Sequence, residues 1–90
     1  MTREEFLKSK DFMKLGQAIN HKNWQVAGMT CMRLQKNAAE AGITEFTLNL
    51  TGLKQCIIHK EAKQALDILA VVVSKRVKML NDLSKTQIQE

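Results

Sequence analysis

The sequence predicts an all-α fold, an antiparallel up-down-up-down bundle of four helices, and three observations predict it. The 90 residues contain no Pro and only four Gly, so the strongest helix breakers are missing. Apolar residues recur at steps of three and four over most of the chain, the spacing of one helix face. Polar or Gly-containing stretches interrupt that pattern at intervals, and connectors this short place successive helices side by side.

The first helix starts at Thr2. Thr2 and Glu5 have the spacing of a capping box, in which the hydroxyl accepts from an orphan amide and the carboxylate reaches back. Phe6, Phe12, Leu15 and Ile19 follow at mostly helical spacing. Ser9 and Asp11 mark a kink or a second start, because both side chains compete for backbone bonds. Asn20 to Asn23 is a polar connector, and Asn serves both to end a helix and to cap the next.

The second helix runs from Trp24 to Ala41, with Trp24, Ala27, Cys31, Leu34, Ala38 and Ala41 on one inward face. Gly42 is its stop. The third begins at Thr44 as N-cap, with Ile43 and Leu48 placed for a hydrophobic staple. Phe46, Leu50, Leu53 and Ile57 form its core face. Gly52 lies inside it at a cost of about 1 kcal/mol relative to Ala, and close approach of a neighbouring helix accounts for it. No Gly or Pro separates Ile58 from Glu61. A continuous helix there would run roughly 40 residues and about 60 Å, more than a globule this small can cover, so a turn falls near His59. The fourth helix carries Ala62, Leu66, Leu69, Val73, Val77 and Leu80 inward. After Leu83 the chain is polar and expected to fray. One domain therefore spans residues 1–85, and 86–90 form a polar tail.

Composition narrows the function. The hydrophobic fraction of 44% is that of a folded globule and argues against disorder. The net charge of +5 admits acidic partners, but it is spread along the chain. Its densest point, Lys75, Arg76 and Lys78, reads first as a solvated helix face. One Trp and three Phe offer no base-stacking set. Cys31 and Cys56 lack metal-ligand spacing and fall on apolar faces, as reduced core thiols do. The N-terminus has no signal-peptide core, and the most apolar run, Ile68 to Val73, is too short to span a bilayer. The expected location is the cytoplasm, without a membrane.

No catalytic motif assembles. There is no GxGxxG, P-loop, HExxH or GxSxG, and no Glu-x-x-His for a metal in a bundle core. No cofactor or metal is expected, and the chain does not read as an enzyme. His21 and His59 fall at helix ends, where a cation complements the dipole.

The stretch Asn23-Trp24-Gln25-Val26-Ala27, then Met32-Arg33-Leu34-Gln35-Lys36, then Ala38-Ala39 and Gly42-Ile43, resembles the histidine-containing phosphotransfer (Hpt) family without a gap from Trp24 to Gly42. Phe46, Leu50, Leu53 and Cys56 resemble that family's next helix. His59-Lys60-Glu61-Ala62 and the Leu-rich run beyond resemble its last connector and helix, so the likeness covers about three quarters of the chain. Leu34, the small residues and Gly42 match the structural part of the motif. The phospho-accepting His falls at Met32, the motif Lys at Gln35 and its Gly at Lys36. A thioether has no nucleophilic nitrogen, so the resemblance implies a pseudo-phosphotransfer domain, kin to phosphorelay modules of two-component signalling but unable to relay phosphate through this site.

A second stripe on the same helix, Met29, Met32, Gln35, Lys36 and Ala39, is expected beside the core seam. The resemblance implies that this stripe docks a response-regulator receiver domain. Met is adaptable at binding surfaces, whereas a bundle helix touching two neighbours also tends to bury one flanking Met. The expected function is a non-catalytic adaptor that binds a protein partner through this stripe, as a monomer. The alternatives are a basic bundle binding nucleic acid, a phosphoacceptor using His59 or His21, and a structural piece self-associating through the fourth helix, where Val71, Val72 and Val73 face three directions.

Overall fold

The capping box predicted at the N-terminus forms. Thr2 Oγ1 accepts from the Glu5 amide at 3.1 Å, and Glu5 Oε1 accepts from the Thr2 amide at 3.1 Å. They open α1 (Arg3–Leu7) in a computed structural model that describes residues 1–88. The chain then breaks at the Ser9–Asp11 pair. Ser9 Oγ accepts from the Asp11 amide at 3.1 Å and starts α2 (Asp11–Asn20). Asn23 caps α3 (Trp24–Glu40) through the Val26 amide. α4 (Thr47–Ile58) and α5 (Ala62–Ile88) complete an all-helical chain with no strand among the described residues.

Each long helix packs on the next, α2 on α3, α3 on α4 and α4 on α5, and α5 returns to α2; α1 lies against α5 and α3. The core is one cluster. Phe6, Phe12 and Phe46 meet with ring centroids 5.4, 5.9 and 6.2 Å apart, and Leu7, Leu15, Ile19, Leu34, Leu50, Leu53 and Val72 surround them. Each such side chain contributes about 1.5–3 kcal/mol by leaving water, and the edge-on aromatic pairs add to that. No helix is long and apolar enough to cross a membrane among the described residues.

Three turns end helices with left-handed backbone. Gly42 does so at φ 70°, where the Ile43 amide donates to the Ala38 carbonyl at 2.9 Å and the Ile43 side chain is buried. This is the Schellman arrangement expected of a Gly just past a helix end. The other two turns use lysine. Lys22 (φ 56°) follows His21 and Lys60 (φ 57°) follows His59, so two His-Lys pairs adopt one geometry at the ends of α2 and α4.

Several expectations are corrected. α4 starts at Thr47, not after a Thr44 cap, and Leu48 is 87% exposed, so no staple forms. Burying the Phe46 ring against Phe6 and Phe12 outweighs one capping bond. On α5 the buried positions are Ala65, Leu69 and Val72, while Val73 and Val77 are 36% and 46% exposed. The helix lies between α2 and α4, and that turns its buried arc towards Val72. Close approach occurs at Gly16, where a Cβ would stand 3.3 Å from Leu69 Cδ2, rather than at Gly52, where it would stand an ordinary 3.7 Å from Ile68 Cδ1. The backbone of α5 stays helical to Ile88, past the boundary expected at residue 85. The last two residues lie outside the described ones.

Candidate functional site

α3 is long enough to carry two faces. Ala27, Cys31, Leu34 and Ala38 are buried as their spacing predicts. At 100° per residue, Gln25, Met29, Met32 and Lys36 fall within an arc of about 60° roughly opposite that face. Met29 is 61% and Met32 56% exposed, and Gln25 and Lys36 are exposed with them. The stripe therefore lies away from the core rather than beside its seam, and neither Met is a core residue.

The other two expected residues sit at its margin. Gln35 is half-buried and Ala39 exposed, and both line a groove of about 220 Å³ between α3 and the start of α4. Ile43, Thr44 and Thr47 form its far wall. All five expected residues thus belong to one surface: a flexible apolar centre, one cation and an adjoining groove edged by hydroxyls. The groove wall was overlooked in the sequence, although Thr44, Thr47 and Thr51 recur at steps of three and four, a polar helix stripe.

The electrostatics of the face are simple. Arg33 is turned from it: its guanidinium donates to both Asp11 oxygens, at 2.9 and 3.0 Å, and ties α3 to the start of α2. That hydrogen bond holds the guanidinium even more firmly protonated. Lys36 forms no ion pair among the described residues and remains available as a donor. Met32 is the ninth of the 17 residues of α3, so its side chain is exposed at mid-helix.

The histidines and cysteines lie away from this face. His21 and His59 are exposed C-caps of α2 and α4. Cys31 is buried with its Sγ 3.6 Å from the Leu50 carbonyl, and burial pushes its thiol up to about 11. Burial also raises Cys56. Both thiols are free and protonated near neutral pH. No group of three or more His, Cys, Asp or Glu is placed to hold a metal ion among the described residues.

The basic run on α5 divides. Lys75 Nζ is 2.8 Å from Asn49 Oδ1 and also donates to the Glu45 carbonyl. Arg76 donates to the Leu7 carbonyl, and its Cζ lies over the Phe12 ring, 5.2 Å from the centroid. Two of the three cations are thus engaged within the fold. Comparison of the chain with protein-family models, with curated proteins and with solved structures finds no match.

Proposed function

We propose that the chain is a non-catalytic, Hpt-like adaptor module that docks a protein partner through the exposed face of α3. The observation that carries this reading is the pairing of Met29 and Met32, both exposed, with Lys36 on one side of a mid-bundle helix. Two neighbouring exposed methionines form a small apolar patch, and flexible Met surfaces suit a partner that must be accommodated. A receiver domain is the class of partner that the resemblance implies. Its acidic pocket would meet Lys36 where the family has Gly, and no imidazole faces it. The proposed module is a cytoplasmic monomer.

The up-down arrangement belongs to the same reading. Three-residue connectors (21–23 and 59–61) join α2 to α3 and α4 to α5. A Cβ on Gly28 would stand 3.9 Å from Ile57 Cγ2, so the start of α3 lies beside the end of α4. Antiparallel neighbours satisfy both facts.

The nucleic-acid alternative is the weaker one because it rests on charge alone, and two cations of the basic run already bond within the chain, Lys75 to Asn49 and Glu45 and Arg76 to Leu7. Calorimetric titration of purified receiver domains, with and without a phosphoryl mimic, tests the proposal. Saturable binding that weakens about tenfold or more in a Met29→Gln, Met32→Gln double variant of unchanged stability is expected. Acid-labile phosphate on the wild-type chain after incubation with a phosphorylated receiver would overturn the non-catalytic assignment. Salt-dependent binding to duplex DNA with no receiver binding would favour the alternative.

A further inference from the structure

A second surface feature lies where the break between α1 and α2 crosses α5. Residues 8–10 leave the helical path there, and a notch of about 280 Å³ opens between this connector and α5. Phe12, Met13 and Val73 supply apolar walls, and Lys8, Lys10 and Arg76 supply cations. The notch lies on other elements than the α3 face, and neither the adaptor reading nor the core explains it.

Its charge is lopsided. Of the lining cations Lys8 is already paired, since it donates to Glu4 at 2.8 Å, and Asp11 accepts from Arg33, which leaves Lys10 and Arg76 as the cations open to a ligand. Lys10 and Arg76 form no ion pair among the described residues. Arg76 is nonetheless held in place. Its Nε donates to the Leu7 carbonyl and its Cζ lies over the Phe12 ring, which positions the rest of the fork with little further loss of freedom. The walls remain open: Met13 is 70% exposed, and Val73 is exposed beside it. A fixed guanidinium and an unpaired ammonium over an exposed apolar wall match a ligand with one anionic head and a short hydrocarbon tail. A cavity of this volume is too small for a folded peptide segment and sufficient for such a molecule.

We propose that this notch binds a small, free anionic amphiphile, a carboxylate or phosphate monoester whose head meets Arg76 and Lys10 and whose chain lies over Met13 and Val73. The methionines serve as reporters, because Met13 borders the notch while Met29 and Met32 stand on α3. Titrating the whole chain with monomeric decanoate, followed by methionine-methyl NMR, should give a saturable shift at Met13 and none at Met29 or Met32. Decyltrimethylammonium should leave Met13 unmoved at the same concentrations. Lys10→Gln, at an exposed position that does not support the fold, should weaken decanoate binding about tenfold, and Arg76→Gln at least as much. No Met13 shift, equal response to the cationic amphiphile, or simultaneous shifts at Met29 and Met32 would each overturn the proposal. So would sedimentation with anionic lipid vesicles in a chain that gives no Met13 response to decanoate.

Discussion

Lys22 and Lys60 occupy backbone that favours glycine, and replacing them measures what that costs. The Asn23 amide donates to the Ala18 carbonyl at 2.8 Å and the Glu61 amide to the Cys56 carbonyl at 2.9 Å, so both turns close the same bond over the same left-handed residue. A Cβ in that region costs about 1–2 kcal/mol. Glycine removes the strain but gives back about 0.5–1 kcal/mol through the freedom of the unfolded chain. The net gain is about 0.5–1 kcal/mol per site. Removing the ammonium complicates this, since a cation at a helix C-terminus is worth about 0.3–1 kcal/mol. Alanine provides the reference, because it keeps the Cβ and lacks the charge. The Gly variant should therefore exceed the Ala variant by about 0.5–1 kcal/mol at both positions, with a shift in Tm of about 4–8 °C per kcal/mol. Gly42→Ala supplies the converse. Nothing lies within 4 Å of its added Cβ, so any loss there is backbone strain alone. Urea unfolding followed by circular dichroism, with m unchanged, reads all of these. Equal stability of Gly and Ala at 22 and 60, alongside a loss at 42, would refute the reasoning.

Other outcomes follow from the packing and the titrating groups. Gly52→Ala should stabilise by about 0.5–1 kcal/mol, since its Cβ makes only ordinary contact, whereas Gly16→Ala must push Leu69 and should gain less or lose; paired denaturation curves distinguish them. Below pH 9 both folded and unfolded chains keep the Cys31 proton. From 9.0 to about 11 only the unfolded chain loses it, so stability should fall across that window, and Cys31→Ala should flatten that part of the pH–stability curve. Phe12→Ala opens the aromatic cluster and removes the ring over which Arg76 Cζ lies; a loss of about 3–5 kcal/mol is expected from thermal or urea melts. Met29→Gln and Met32→Gln should each change stability by less than about 0.5 kcal/mol, because both side chains face solvent.

The helices were legible wherever one signal dominated. Thr2 and Glu5 announced a cap, and Ala27, Cys31, Leu34 and Ala38 announced a buried face, because spacing alone decides both. Gly42 announced its turn. Lys22 and Lys60 did not: lysine has no preference for left-handed backbone, and the bonds that close each turn, Asn23 to Ala18 and Glu61 to Cys56, run through it all the same. The spacing of Phe46 with Leu50, Leu53 and Ile57 marks it as core, yet its burial displaces the start of α4 from the Thr44 that a local rule favours. On α5 three consecutive valines left the phase of the helix undetermined, and only its placement between α2 and α4 selects Val72. The Met29–Met32–Lys36 stripe was legible as a set. Its exposure was not, since flanking methionines serve equally well in cores. The notch at Lys10 and Arg76 was illegible, because it joins residues 66 positions apart through the bend at Ser9.

The unequal lengths of the helices have a consequence for hydrogen exchange. α5 has 27 residues and α4 has 12, so at 1.5 Å per residue α5 runs about 20 Å further. Beyond Arg76 its neighbours include Arg3 on α1 and Glu45 in the connector before α4, which pair with each other. A five-residue helix has no stability of its own and persists only while Phe6 and Leu7 stay docked. The N-terminal turn and the distal part of the last helix should therefore open together as one unit, below the energy of global unfolding. The amides from Val77 to Leu83 should exchange through that opening, at rates matching those of α1, while the amides of α3 wait for the whole bundle to unfold.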